Sequence, residues 1–202
     1  MATLLYSATA SLDGFIAGPG GDMSWLTPHL AGPNPTADRL LSRVGAILAG
    51  ATTFGGDDPN RGTEQEGAFG GQYDGPVVVL THRPADTAPD GVTFAGDLHH
   101  AVALASEAAG DGVVDVLGAD VARQCIEARL LDEVLLFLAP VLLGDGVRVF
   151  DSPGGTQVLL DPGPRRDGAL VPRPVPSRGQ PARARWSRGL TPCTRVNAAD
   201  SA

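Results

Sequence analysis

The chain has 202 residues, a formal net charge of -8 and a hydrophobic fraction of 43%, which together fit one folded domain with its own core. No apolar run approaches the roughly 18–20 residues that cross a bilayer, and no basic N-terminal region indicates a secretory signal. Two cysteines, Cys125 and Cys193, are too few for a disulfide framework or a cysteine-rich zinc site. We therefore expect a soluble cytoplasmic protein, and the acidic balance argues against a nucleic-acid partner.

The elements predicted in chain order alternate between strands and helices. Apolar or β-branched runs predict strands at 3–9, 46–49, 76–81, 92–94, 113–117 and 134–139. Helices are predicted from Thr36 or Asp38 through Val44, from Leu98 to Ala109 after the N-cap Asp97, and from Gly118 to Ala128. Residues 55–75, rich in glycine and acids, are predicted to be a loop. Strands separated by helices of about ten residues indicate βαβ units, so we predict an α/β fold with a mostly parallel sheet.

Charge is distributed unevenly along this chain. Residues 1–160 hold 20 of the 23 acidic residues, whereas residues 161–202 hold eight of the 15 basic residues, all of them arginine. Seven prolines also fall within 161–202, where each removes a backbone donor and disfavours regular structure. We therefore predict a folded domain over 1–160 and a disordered or loosely attached tail over 161–202. The tail is either a solvated appendage or a basic segment that binds a polyanion or the acidic domain.

Small and hydroxyl residues follow three of the predicted strands. Gly50-Ala51-Thr52-Thr53 follows the second strand, Thr81-His82-Arg83 the third, and Gly118-Ala119-Asp120 the fifth. Ligands of open α/β sheets lie beyond the carboxyl ends of strands, where glycine permits close approach and a helix N-terminus offers N–H groups to phosphate. Together these segments predict a nucleotide or dinucleotide site.

Each of these segments also has a simpler interpretation. Gly50 and Gly118 are common at ordinary turns, and Arg83 alone is compatible with a solvated charge. Asp120 is unfavourable beside a bound phosphate unless its carboxylate caps the helix and points away.

Asp13 is the carboxylate that stands out. It lies in Ser11-Leu12-Asp13-Gly14, between the first strand and the glycine-rich loop Gly18–Asp22. A partly buried carboxylate here would supply a proton or bind an amino-pyrimidine ring, whereas the simpler interpretation is an Asp-Gly turn. Trp25, beyond the loop, is either a stacking surface for a planar ligand or a core anchor.

Other chemistries lack their motifs. The chain has no lysine and therefore no phosphate-binding Walker loop, and it has no Gly-x-Ser-x-Gly nucleophile turn. The four histidines show no metal-ligand spacing, so we predict no metal site.

Several segments resemble one family. Ser11-Leu12-Asp13-Gly14-Phe15-Ile16-Ala17 and Met23-Ser24-Trp25-Leu26 resemble the N-terminal signature of the dihydrofolate-reductase-like superfamily. Within that superfamily, the chain more closely resembles the branch that contains the reductase domain of riboflavin-biosynthesis deaminase-reductases. Leu48–Phe54 resembles that branch's Gly-Arg-x-Thr segment, Val116–Asp120 its Gly-Gly loop, and 131–150 its late strand and loop. These matches cover roughly residues 3–150 in the right order.

The resemblance implies a three-layer dihydrofolate-reductase-like fold, with a mostly parallel central sheet and helices on both faces. It also implies NADPH as hydride donor and a homodimer. Carried over by position, the residues lining the NADPH site would be Gly50, Thr52, Thr53, Thr81, Arg83, Gly118 and Ala119. Those bordering the nicotinamide and substrate would be Ser11, Asp13, Trp25, Gly144 and Gly146. Gly18–Asp22 would be a mobile loop that closes over the nicotinamide.

The sequence departs from the family pattern at three places, the smallest of which is the alanine, Ala119, that follows Gly118. Ala51 stands where arginine is frequent, which weakens selectivity for a 2′-phosphate. The family closes its sheet with a C-terminal hairpin, for which Thr156–Leu160 can supply one strand. No convincing final strand follows, since Ala169-Leu170-Val171 is only a stub, and we therefore expect an exposed sheet edge.

The predicted function is NADPH-dependent reduction of a pyrimidine, pterin or related small heterocycle, with Asp13 supplying a proton or anchoring the substrate. The riboflavin-pathway substrate would be 5-amino-6-(5-phosphoribosylamino)uracil, although the acidic domain offers few basic partners for its phosphate. The alternative is a non-catalytic nucleotide-binding module on the same scaffold, impaired by an abnormal C-terminus.

Overall fold

The computed structural model describes residues 1–30, 32–155, 158, 160–161 and 169–172. The strands of these residues are β1 (Thr3–Ser11), β2 (Phe15–Ala17), β3 (Val44–Gly50), β4 (Val77–Leu80), β5 (Val92–Ala95), β6 (Val113–Leu117), β7 (Glu133–Ala139), β8 (Val147–Arg148), β9 (Leu160–Asp161) and β10 (Ala169–Pro172). The α-helices are α1 (Pro35–Leu41), α2 (Ala51–Phe54), α3 (Ala68–Gly71), α4 (Leu98–Ala109) and α5 (Ala119–Glu127). Two 3-10 turns, Pro19–Gly21 and Ser24–His29, lie between β2 and α1.

Eight of these strands form one sheet in the order β5-β4-β3-β6-β1-β7-β10-β9. The first six run parallel, whereas β10 is antiparallel to β7 and β9 is antiparallel to β10. β2 and β8 form a separate antiparallel pair. The predicted α/β class with a mostly parallel sheet is confirmed.

The central strands are apolar on both faces because helices cover both faces. On one face α4 and α5 pack their small residues, such as Ala101, Ala105 and Cys125, against the sheet. On the other face Leu40 of α1 packs against Leu5 of β1 and neighbouring strand residues. These three layers match the architecture that the resemblance implies. No helix among the described residues is both long and apolar enough to cross a bilayer.

The helix boundaries follow local capping chemistry. The Asp97 carboxylate accepts the backbone N–H of His100 at 2.9 Å and Gly110 ends α4 with a φ of 61°, as predicted. The first helix begins earlier than predicted, because the Asn34 side chain accepts the N–H of Ala37 and Pro35 occupies the first helical position. The segment α3 within the predicted 55–75 loop is not a regular helix, since Phe69 and Gly70 have positive φ values.

The prediction that no convincing final strand follows Leu160 is wrong. Ala169 and Leu170 of β10 pair with Leu135 and Val134 of β7, and β9 pairs with the outer side of β10. Four residues are enough for this strand, whose last residue, Pro172, lies beyond the residues paired with β7 and opposite Leu160 of β9. The sheet therefore extends beyond residue 160. Residues 156, 157 and 159 of the other predicted strand, and 162–168 and 173–202 of the tail, lie outside the described residues.

A carboxyl group is buried at the centre of the sheet. Asp115 of β6 is 0% exposed, and its Oδ2 accepts a hydrogen bond of 3.0 Å from the Ser7 hydroxyl of β1. Its Oδ1 has no hydrogen-bond partner within the described ranges. Burial raises the pKa of Asp115 to about 7, against the smaller opposing effect of the Ser7 hydrogen bonds. The pKa of Tyr73 is raised to about 12, first by burial and then by the charge of Asp115.

We expect the free energy of unfolding to decrease as the pH rises from about 4 to about 7. The unfolded Asp115 ionises near pH 4, whereas the folded carboxyl keeps its proton until about pH 7, so folding stability is lost through that interval. Asp115→Asn should remove this pH dependence. For a pKa shift of this size, the loss of unfolding free energy over the interval is on the order of 4 kcal/mol. Urea denaturation across the interval measures it, with the exposed Asp90→Asn as control. An Asp115→Asn variant as pH-dependent as the wild type would contradict the assignment.

Candidate functional site

The candidate site lies where the parallel strands end. Because β3, β4 and β6 run in the same direction, the residues that follow them meet at one edge of the sheet. A cleft of about 470 Å³ opens there. Its lining residues are Gly50, Ala51, Thr52, Thr53, Leu80, Thr81, His82, Arg83, Gly118, Asp120, Val121 and Gln124.

The cleft brings together most residues that the sequence assigns to a cofactor. Six of them line it: Gly50, Thr52, Thr53, Thr81, Arg83 and Gly118. Ala119 does not line the cleft but is the first residue of α5. His82 and Gln124 line the cleft without having been predicted as site residues. Gln124 was recognisable in principle, since it stands four residues after Asp120 and therefore on the same face of the helix.

Glycine is required where α5 begins. Gly118 has a φ of 100°, and a Cβ at this position would overlap the Thr53 hydroxyl. A Cβ on Gly50 would lie 3.0 Å from Cγ2 of Val121. The two glycines therefore let α2 and α5 approach each other across the floor of the cleft.

The N-terminus of α5 retains hydrogen-bonding capacity. Its first helical hydrogen bond runs from the N–H of Ala122 to the carbonyl of Gly118 at 3.1 Å, and no side chain of the described residues caps the helix. The preceding N–H groups of this nine-residue helix therefore suit an anion. On the opposite wall, the Thr81 hydroxyl accepts the N–H of Arg83 at 3.1 Å and closes a tight turn.

Asp13 joins the turn after β1 to the loop after β7. Its Oδ1 accepts the Ser11 hydroxyl at 2.6 Å and the N–H of Leu143 at 3.1 Å, and its Oδ2 accepts the N–H of Gly144 at 2.7 Å. The Ser11 hydrogen bond, assisted by those backbone N–H groups, lowers the pKa of Asp13 to about 2. Asp13 is therefore ionised near neutral pH, which favours an anchoring role over proton donation.

Four other residues are predicted to border the substrate, and two of them bond to Asp13. Ser11 and Gly144 bond to Asp13 directly, and a Cβ on Gly146 would overlap the Ala17 carbonyl next to Gly18. Trp25 is half-buried with its ring 6.5 Å from that of His29, and its indole N–H has no partner among the described residues. Within the described ranges, no cluster of three or more His, Cys, Asp or Glu residues is placed to hold a metal ion.

Asp13→Asn should loosen the loop after β7, because an amide has only one oxygen to accept two backbone N–H groups. In the wild type this stabilisation is present above about pH 4 and is lost as the pH falls through about 2. The variant should lack it at every pH, with faster amide hydrogen exchange at Leu143 and Gly144. Asp145→Asn is the matched control, since Asp145 in the same loop accepts the N–H of Gly146 and, among the described residues, no other hydrogen bond. Unchanged exchange at both amides would show that Asp13 does not hold the loop.

Comparisons with known proteins agree with this geometry. The model of the RibD C-terminal domain family matches residues 2–163, whereas no curated protein matches the chain. A protein from Shewanella sp. PV-4 assigned to riboflavin biosynthesis has a similar structure, with 25% identity and a TM-score of 0.59. The alignment covers 85% of this chain and 97% of that chain.

Two more distant structures share the fold. One is the diaminohydroxyphosphoribosylaminopyrimidine deaminase/5-amino-6-(5-phosphoribosylamino)uracil reductase of Thermotoga maritima, with 18% identity, a TM-score of 0.52, and coverage of 85% of this chain and 55% of that chain. The other is the dihydrofolate reductase of Enterococcus faecalis complexed with NADP(H), with 18% identity, a TM-score of 0.50, and coverage of 84% and 91%. This chain thus spans about half the length of the Thermotoga protein. Since the family model covers well over half of the sequence, the chain belongs to the RibD C-terminal domain family.

Proposed function

We propose that the chain is an NADPH-dependent reductase of a pyrimidine, pterin or related small heterocycle. The observation that supports this best is the cleft beyond β3, β4 and β6, which gathers the glycines, hydroxyls and Arg83 expected around a dinucleotide. Membership of the RibD C-terminal domain family supports a reductase-like activity. The proposal includes a cytoplasmic homodimer, and exposed apolar residues near the ends of β1 and β7, including Leu12, Leu138 and Leu142, suit an interface.

The residues of the cleft fit NADPH. Gly50 and Gly118 let α2 and α5 meet at the floor of the cleft, the first turn of α5 offers N–H groups to the pyrophosphate, and Arg83 offers a cation to a further phosphate. The volume of about 470 Å³ lies within the usual range for small-molecule sites. NADPH, when bound, supplies the hydride, while the protein binds and orients the reactants.

Asp13 acts in this proposal as an anchor. One oxygen accepts two hydrogen bonds and the other accepts one, so Oδ2 retains capacity to accept an amino or ring N–H of a heterocycle. Because Asp13 is ionised near neutral pH, the proton that accompanies the hydride comes from water. Gly18–Asp22 begins beside Gly146 and contains two glycines at positive φ, Gly20 and Gly21, which suits a lid that excludes water.

Among the described residues, a substrate phosphate has one basic candidate beside the Asp13 turn. The Arg148 guanidinium of β8 lies 4.7 Å from the ring centre of Phe15, and Val149 donates its N–H to the Gly14 carbonyl. A substrate screen therefore pairs each heterocycle with its phosphoribosyl derivative. Faster turnover of the phosphorylated member would support the riboflavin intermediate as the substrate class.

Titration of the purified full-length protein with NADPH and NADH, followed by nicotinamide fluorescence, tests the proposal. We expect saturable binding with the smaller Kd for NADPH. Arg83→Ala should raise the Kd for NADPH about tenfold, as expected for one lost charge-assisted contact, and the Kd for NADH less. The control is Arg43→Ala, which removes an arginine before β3, at the opposite end of the strand from the cleft.

The titration has two outcomes that would change the assignment. A folded wild-type protein that binds neither nucleotide would reject the reductase proposal. Saturable binding, with no oxidation of NADPH by any heterocycle, would favour the non-catalytic nucleotide-binding module.

Gly118→Ala should greatly weaken NADPH binding and reduce stability by about 1–3 kcal/mol, because it combines a disfavoured backbone conformation with overlap of the Thr53 hydroxyl. Gly110→Ala is the matched control, since Gly110 also has a positive φ but a Cβ there would meet nothing within 4 Å. That control should lose stability without losing affinity. Equal affinity in the two variants would show that the Gly118 contact does not shape the cleft.

A further inference from the structure

Asp120 occupies a position with opposing electrostatic demands. It lies in the first turn of α5, where a carboxylate interacts favourably with the helix dipole. It also lines the cleft, where a negative charge repels the phosphates that the proposed function requires. If the Asp120 carboxylate capped the helix, it would point away from a bound phosphate. The N-cap residue of α5 is Gly118, however, so Asp120 does not act in this way.

The structure shows another arrangement of this carboxylate. Its Oδ1 accepts Nη2 of Arg123 at 2.7 Å, and its Oδ2 accepts Nε2 of Gln124 at 2.8 Å. Both donors stand on the next turn of the helix, so the two oxygens are held along α5. Nη1 of Arg123 also bonds both carboxylate oxygens of Glu127, at 2.9 and 2.8 Å. Arg123 therefore links two acids on one face of the helix.

Hydrogen bonding to Arg123 keeps the pKa of Asp120 below its ordinary value, so the carboxylate is charged near neutral pH. The side chains of Asp120 and Arg123 are 71% and 30% exposed. Water screens such a pair, and exposed ion pairs contribute little to folding stability. The main effect of the pair is therefore on the charge that faces the cleft.

We propose that Arg123 is a positioning residue for the nucleotide: it neutralises Asp120 and, with Gln124, holds that carboxylate away from the N–H groups at the start of α5. This inference rests on the proposed NADPH-binding function. It assigns Arg123 no direct contact with the nucleotide, which distinguishes it from Arg83 on the opposite wall.

The test is a double-mutant cycle read by NADPH titration. Arg123→Ala should raise the Kd about 3- to 10-fold, since it leaves an unpaired carboxylate close to the phosphates. Asp120→Asn should leave the Kd unchanged or lower it, and the double variant should return to within about twofold of the wild type. The loss caused by Arg123→Ala should shrink at high salt. Arg43→Ala controls for overall charge, and melting temperatures should stay nearly constant.

Two results of this cycle would overturn the role of Arg123. An unchanged Kd in Arg123→Ala overturns the inference. A double variant as weak as Arg123→Ala also overturns it, because Arg123 would then bind phosphate directly or support the helix. If Arg123→Ala does not fold, Arg123→Gln, alone and combined with Asp120→Asn, replaces it in the same cycle. If the folded wild-type protein binds no NADPH, the proposed function fails, and this inference fails with it. If the wild type binds NADPH and the Kd does not depend on Arg123, this inference alone fails.

Discussion

The parallel direction of six neighbouring strands is the constraint on which the rest of this structure depends. It places the carboxyl ends of β1, β3, β4, β6 and β7 at one edge of the sheet, so segments far apart in the sequence meet there. Helices on both faces make this arrangement possible, because they bury strands that are apolar on each side. The candidate cleft and the Asp13 turn are therefore two parts of the same edge.

Sequence reasoning succeeded where the determinants are local. α4 was predictable because its cap Asp97 and its terminating Gly110 stand directly beside the helix. The final strand β10 was not, because its stability comes from pairing with β7, about 35 residues earlier in the chain. Asp115 was hidden for a related reason: in the sequence it is one acid within an apolar run, and only the sheet shows that it faces Ser7.

The candidate site divides in the same way. Its glycines and hydroxyls were predictable because small residues after strands are a local pattern with a physical cause. The behaviour of Asp13 was not, since two of its partners, Leu143 and Gly144, lie 130 and 131 residues away. Asp120 is an intermediate case. Its partners are three and four residues away, yet the sequence alone did not reveal that both carboxylate oxygens are held by donors on the helix.

The contact between Gly146 and Ala17 has a mechanical consequence. The loop that ends at Gly146 is tied to β1 by Asp13, and its far end continues into β8, which pairs with β2 directly before Gly18. The backbones of Gly18 and Gly146 are packed so closely that Gly18 could not move toward Gly146 without displacing it. Ordering of one segment reduces the conformational freedom of the other, so ligands held by these two segments would bind cooperatively, each lowering the entropic cost of the other.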